Sequence, residues 1–100
     1  MIEIDPKVLR EKMESDTVIL IDVREAWEFE EASITSRNIS LYDLPSRVGD
    51  LQTEEYDLLV FCCNSGQNSA MAATLAEEAG LSNVAHLKGG INAWKESFPK

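Results

Sequence analysis

One hundred residues, 44% of them hydrophobic and 27% charged, suffice for one folded domain with a real core and are too few for two. A formal charge of −9 argues against nucleic acid or an anionic membrane as the main partner, and against long-range attraction of small anions. No run reaches the roughly 18 apolar residues of a spanning helix, and Met1 to Asp5 lack the blocks of a secretory signal. Cytoplasm is therefore the default compartment, where both cysteines are expected to stay reduced.

Ile2-Glu3-Ile4 alternates as a short edge strand does. Asp5-Pro6 starts a helix, with Asp as cap and Pro at the first helical position, and Val8, Leu9 and Met13 give it a narrow apolar face. Ser15-Asp16 turns the chain into Thr17 to Ile21, apolar on both faces and ending at Asp22-Val23-Arg24. Asp22 and Arg24 read as an ion pair near the strand end rather than as substrate contacts. Glu25 to Glu31 is expected to form a short helix burying Trp27, with Glu25, Glu28, Glu30 and Glu31 as a solvated face. A weak strand at Asn38 to Leu41 follows, then a helix from Leu44 to Leu51 with Leu44, Val48 and Leu51 inward. Gly49 weakens that helix.

The longest apolar run, Leu58 to Cys63, reads as a strand buried on both faces. A polar turn, Asn64-Ser65-Gly66-Gln67-Asn68, leads to Ser69 and a helix whose Ala72, Leu75, Ala76 and Ala79 share one side. Cys63 thus stands where a buried strand gives way to a helix start, and unpaired N–H groups and the helix dipole there favour thiolate over thiol. Alternation turns Cys62 the other way, into the core. Gly80 ends the helix, Asn83 to Leu87 is the last strand, and Gly89-Gly90 turns into a final helix with Ile91, Trp94 and Phe98 on one side.

Strands alternating with helices, the strands doubly buried, imply an α/β fold. We expect a parallel sheet of about five strands with helices on both faces, right-handed crossovers, and ligands beyond the carboxyl ends of the strands. Cys63 falls at such an end. Cys62, Cys63 and the lone His86 give no metal-ligand set with recognisable spacing, and no cofactor is called for. His86 reads as a strand residue with a satisfied ring. No repeat or linker-like composition interrupts residues 1–100, which read as one domain, with a monomer as the default.

Four stretches carry a family resemblance across nearly the whole chain: Ile21 to Glu25 with Trp27-Glu28-Phe29, then Phe61 to Ser69, Gly80 to Val84, and Leu87 to Trp94. In that order and spacing the chain resembles a single-domain rhodanese, a rhodanese-like sulfurtransferase. The resemblance implies that Cys63 takes a sulfane sulfur from a small donor, thiosulfate or a persulfide, and carries it as a persulfide. It then yields the sulfur to a thiol or cyanide-like acceptor, or to an acceptor protein. Asn64, Ser65, Gly66, Gln67, Asn68 and Ser69 would form the loop around that sulfur. Main-chain N–H groups suit a large anionic sulfur, Gly66 lets the backbone curl close, and the polar side chains can add neutral hydrogen bonds.

The departures from the family pattern carry expectations of their own. Many members close the loop with Arg where this chain has Asn68, so a doubly negative donor such as thiosulfate should bind poorly. Ala32 to Arg37 replaces the family's Gly-His-Ile-Pro-Gly-Ala and keeps only Ile34. Arg37 reads as a solvated arginine, with a reach into the pocket as the second reading. A phosphatase on the same scaffold needs Cys-x5-Arg; counting from Cys62 that position holds Asn68, and from Cys63 it holds Ser69. The rival from another class is a rhodanese-like binding or redox-sensing module with little turnover, and a vicinal disulfide between Cys62 and Cys63 is a minor variant of it.

Overall fold

A computed structural model describes residues 1–99 of the chain. In chain order the elements are β1 (Ile2–Ile4), α1 (Pro6–Ser15), β2 (Val18–Asp22), α2 (Ala26–Glu31), α3 (Leu44–Gln52), β3 (Leu58–Cys62), α4 (Gln67–Glu78), β4 (Val84–Leu87) and α5 (Gly90–Ser97). The strands form one parallel sheet in the order β1-β4-β3-β2. The fifth strand expected at Asn38 to Leu41 is reduced to a single bridge between Asn38 and Asp22. Main-chain bonds from Asp22 to Arg37, Ile39 to Asp22 and Leu41 to Val23 hold this segment against the edge of β2 without extending the ladder.

Successive strand residues point to opposite faces, and this sorts the apolar side chains into two cores. Leu59, Phe61 and Cys63 join Ile19, Ile21 and Val84 beneath α3 and α4, which contribute Leu44, Val48, Leu51, Ala72, Ala73 and Ala76. Leu58, Val60 and Cys62 face the other way with Leu20, Ala85 and Leu87, covered by Leu9 of α1 and by Ile91 and Trp94 of α5. Each fully buried Leu or Ile is worth roughly 1.5–3 kcal/mol, so both layers are needed to hold the sheet. Three alanines on α4 let that helix lie close over the end of β3.

Three packing expectations are corrected. Trp27 is 62% exposed, because α2 is a six-residue helix with no buried residue. Val8 and Met13 are also exposed, since α1 seats only Pro6 and Leu9. His86 is buried, but its ring is not satisfied: among the described residues Nδ1 has no hydrogen-bond partner, and Nε2 lies 3.8 Å from Glu3 Oε2. Its register neighbours are Phe61 and Glu3, and Phe61 offers it no polar group.

Candidate active site

Cys63 is the first residue beyond β3 and is only 3% exposed. Its Sγ accepts main-chain N–H groups from Gly66 at 3.1 Å and Ser69 at 3.3 Å. The chain reaches this geometry through Gly66, whose φ of 112° lies in the left-handed region and turns the loop into α4. Helix α4 starts at Gln67, two residues earlier than expected, so Ser69 sits in its first turn rather than at its head. The buried Ser69 hydroxyl donates to the Gly66 carbonyl at 3.1 Å and closes the loop on itself. Two main-chain N–H groups thus converge on one sulfur.

The other end of the loop is anchored by the start of α5. Ile91 N–H donates to the Cys63 carbonyl at 2.8 Å and Asn92 N–H to the Asn64 carbonyl at 3.1 Å. A side chain at Gly90 would collide with the main chain of Cys63 and Asn64, and its φ is +67°. The double glycine thus allows two backbones to touch beneath the thiol.

On the opposite flank, Asp22 is fully buried at the end of β2. Its carboxylate accepts the Arg24 main-chain N–H at 2.9 Å, Arg24 Nε at 3.1 Å, Arg24 Nη2 at 2.9 Å and the Ser33 hydroxyl at 2.7 Å. The expected ion pair is present, and it does more than close a loop. Its Arg24 also donates through Nη1 to Asn64 Oδ1 at 3.2 Å and through Nη2 to the Ala32 carbonyl. Hydrogen bonding to Asp22 raises the Arg24 pKa above its ordinary value, outweighing the opposing effect of burial. Ser33 and Thr35 anchor the divergent segment, Thr35 by a 2.6 Å bond to the Leu20 carbonyl.

These groups enclose a cavity of about 140 Å³ lined by Cys63, Arg24, Glu28, Asn64, Ser65, Gln67 and Asn68. The loop side chains are exposed around it, and Asn64 Nδ2 donates to Glu28 Oε2 at 3.1 Å. Arg24 and Glu28 are the wall residues that sequence reasoning left out. Register would have found the first: Asp22 pairs with Cys62, so Arg24 falls level with Asn64. Glu28 belongs to the cavity rather than to a purely solvated face. Arg37 points elsewhere, paired with Glu54 at 2.6 Å.

Cys62 lies on the far side of the sheet, fully buried, and burial pushes its thiol well above the ordinary range, with the charges of Asp22 and Cys63 adding to the effect. Both cysteines are free. A larger depression of about 560 Å³, near Leu51, Tyr56 and Gly80, opens at the amino ends of β3 and β4 and is lined by Glu54 and Glu55, with no cysteine on it. Among the described residues no group of His, Cys, Asp and Glu is arranged to hold a metal ion, and no helix is long and apolar enough to cross a membrane.

Comparison with known proteins agrees with this fold. The model of the rhodanese-like domain matches residues 5–97. An uncharacterised Synechocystis protein is 36% identical over 99 residues, covering 96% of this chain and 53% of its own. The maize adenylyltransferase and sulfurtransferase MOCS3-2 is 37% identical over 82 residues, covering 76% of this chain and 17% of its own. The chain thus spans about half the length of one relative and a small part of the other. Among solved structures, the human single-domain sulfurtransferase TSTD1 superposes with a TM-score of 0.84 at 25% identity, covering 98% of both chains.

Proposed function

The chain belongs to the rhodanese-like domain family, and from that premise we propose that it is a sulfurtransferase working through a persulfide on Cys63, with residues 1–100 as one catalytic unit. The observation that carries the reading is the Cys63 sulfur at the floor of a cavity, accepting two main-chain N–H groups. The thiolate attacks the terminal sulfur of a donor R–S–SH; the S–S bond breaks, R–S⁻ leaves, and Cys63–S–SH forms. An acceptor thiolate then attacks that terminal sulfur, takes it as R′–S–SH and restores the Cys63 thiolate. No outside oxidant or base enters the balance. A reducing compartment such as the cytoplasm keeps Cys63 free for this cycle.

The wall charges favour a persulfide donor over thiosulfate. Among the described residues Arg24 is the one cation lining the cavity, and its guanidinium is already held by Asp22, Asn64 and the Ala32 carbonyl. Glu28 stands on the same wall. A dianion finds no uncompensated positive charge. The test is the intact mass of the protein after separate exposure to glutathione persulfide and to thiosulfate. We expect one sulfur atom gained on Cys63 from the persulfide, little from thiosulfate, and complete loss on adding cyanide or a thiol. A free, unmodified Cys63 after both donors would replace the enzyme reading with that of a binding or sensing module.

A further inference from the structure

The cavity around Cys63 continues into a second one. A groove of about 310 Å³ is lined by Val23, Leu41, Tyr42 and Met71 together with Glu25, and it shares Arg24, Glu28 and Asn68 with the thiol cavity. The inner cavity alone accommodates a donor's terminal sulfur and a few neighbouring atoms; the outer groove is more than a small thiol requires. Its two large side chains stand in solvent, Tyr42 at 87% exposure and Met71 at 56%. Exposed tyrosine and methionine are costly to leave in water and are enriched where proteins meet, the ring as an anchor and the thioether as an adaptable contact. The charge of the groove is one-sided. Arg24 is matched by the buried Asp22, so the exposed Glu25 and half-buried Glu28, although hydrogen-bonded within α2 and to Asn64, leave the groove negative on a chain of net charge −9.

Building on the sulfurtransferase reading, we propose that this groove is a docking surface for an acceptor protein that presents a cysteine within an extended, basic segment. The segment lies along Tyr42 and Met71, its positive side chains meet Glu25 and Glu28, and its cysteine enters the thiol cavity past Asn68. There the acceptor thiolate attacks the terminal sulfur of Cys63–S–SH; the S–S bond breaks, the sulfur leaves on the acceptor as a persulfide, and the Cys63 thiolate is regenerated.

The experiment separates loading from discharge. Protein loaded with glutathione persulfide and freed of excess donor is mixed with short peptides bearing a central cysteine flanked by leucines and then by lysines, or by glutamates instead. Loss of the sulfur is timed by intact mass. The lysine peptide should discharge Cys63 about tenfold faster than the glutamate peptide at low salt, with the gap closing at high salt. Tyr42→Ser with Met71→Ser should slow the lysine peptide about tenfold and leave discharge by cyanide within about twofold. Glu25→Lys should narrow the preference between the two peptides. Equal rates for the peptides, or a paired substitution that slows cyanide and peptide alike, would overturn the proposal. So would light scattering showing a dimer that the paired substitution dissociates, since a second copy would then cover the groove. Failure to load at all would sink the sulfurtransferase reading itself, and the docking proposal with it.

Discussion

Cys62 and Cys63 are neighbours in the chain and inhabit opposite sides of the sheet. Cys62 is the last residue of β3 and sits among Val60, Ala85, Leu87 and Ile91, where burial disfavours an ionised sulfur more than the Arg24 charge favours it. Cys63 lies one residue further on, turned towards α4, with two N–H groups aimed at it and a cavity above it. Both are nearly inaccessible, so burial alone does not separate them. What separates them is the loop: one thiol is packed by side chains, the other is received by main chain. On the proposed mechanism, transfer needs both a thiol and this place in the backbone, and only Cys63 has the two together.

The sharpest way to break this contrast is to exchange each sulfur for oxygen. Cys63→Ser should lower sulfur transfer by a thousandfold or more, on the order expected for loss of a covalent nucleophile, measured as cyanide- or thiol-dependent turnover. Cys62→Ser should stay within about threefold of wild type in the same assay. It should instead cost about 1–3 kcal/mol in denaturant unfolding, because a hydroxyl is left without a partner in an apolar core. The reverse pattern would mean that the wrong face had been assigned.

Next in size is the support under the loop. Gly90→Ala places a methyl group against the main chain of Cys63 and Asn64 at a φ of +67°. We expect at least about 2 kcal/mol of lost stability and more than tenfold lower transfer, read by thermal unfolding and by rate. A smaller effect of opposite sign is expected from Asn68→Arg. A free guanidinium on the cavity wall should raise kcat/KM for thiosulfate about fivefold, with less change for a persulfide donor. An unchanged ratio would count against the charge argument.

The smallest effect is a pH dependence confined to the apolar side. Burial holds the Cys62 thiol protonated in the folded protein, whereas in the unfolded chain it ionises near the ordinary cysteine value of about 8.5. Its contribution is therefore complete below that value and is lost as pH rises from there towards the raised one. The unfolded state gains about 1.4 kcal/mol per pH unit in that window. Wild-type protein should lose stability more steeply than Cys62→Ala above about pH 9 by that increment, measured in parallel urea titrations.

Much of this arrangement was legible in the amino-acid order. The doubly apolar runs Thr17 to Ile21 and Leu58 to Cys63 became the neighbouring edge strand β2 and central strand β3, and the cysteine ahead of a glycine turn became the thiol at a helix start. What escaped was whatever depends on how two distant runs line up. Arg24 reaches Asn64 only because Asp22 is level with Cys62, and no local pattern states that register. Glu28 joins the wall for the same reason, carried there by α2. Trp27 misled because size suggests burial, while six helical residues at the sheet margin offer it no surface to cover. The loss of a fifth strand has a comparable cause. Asn38 spends its side-chain amide on the Asp22 and Arg24 carbonyls, and the segment departs after one bridge.

The strand order β1-β4-β3-β2 has a consequence for how the chain is made. β1 is made before β4 but meets β3 only through it, and the amides of Ile91 and Asn92 that fasten the thiol loop follow later still. The Cys63 loop therefore has no fastening to α5 until Ile91 and Asn92 have been added. β4 and the start of α5, adjacent in the chain, thus complete the sheet and then fasten the thiol loop.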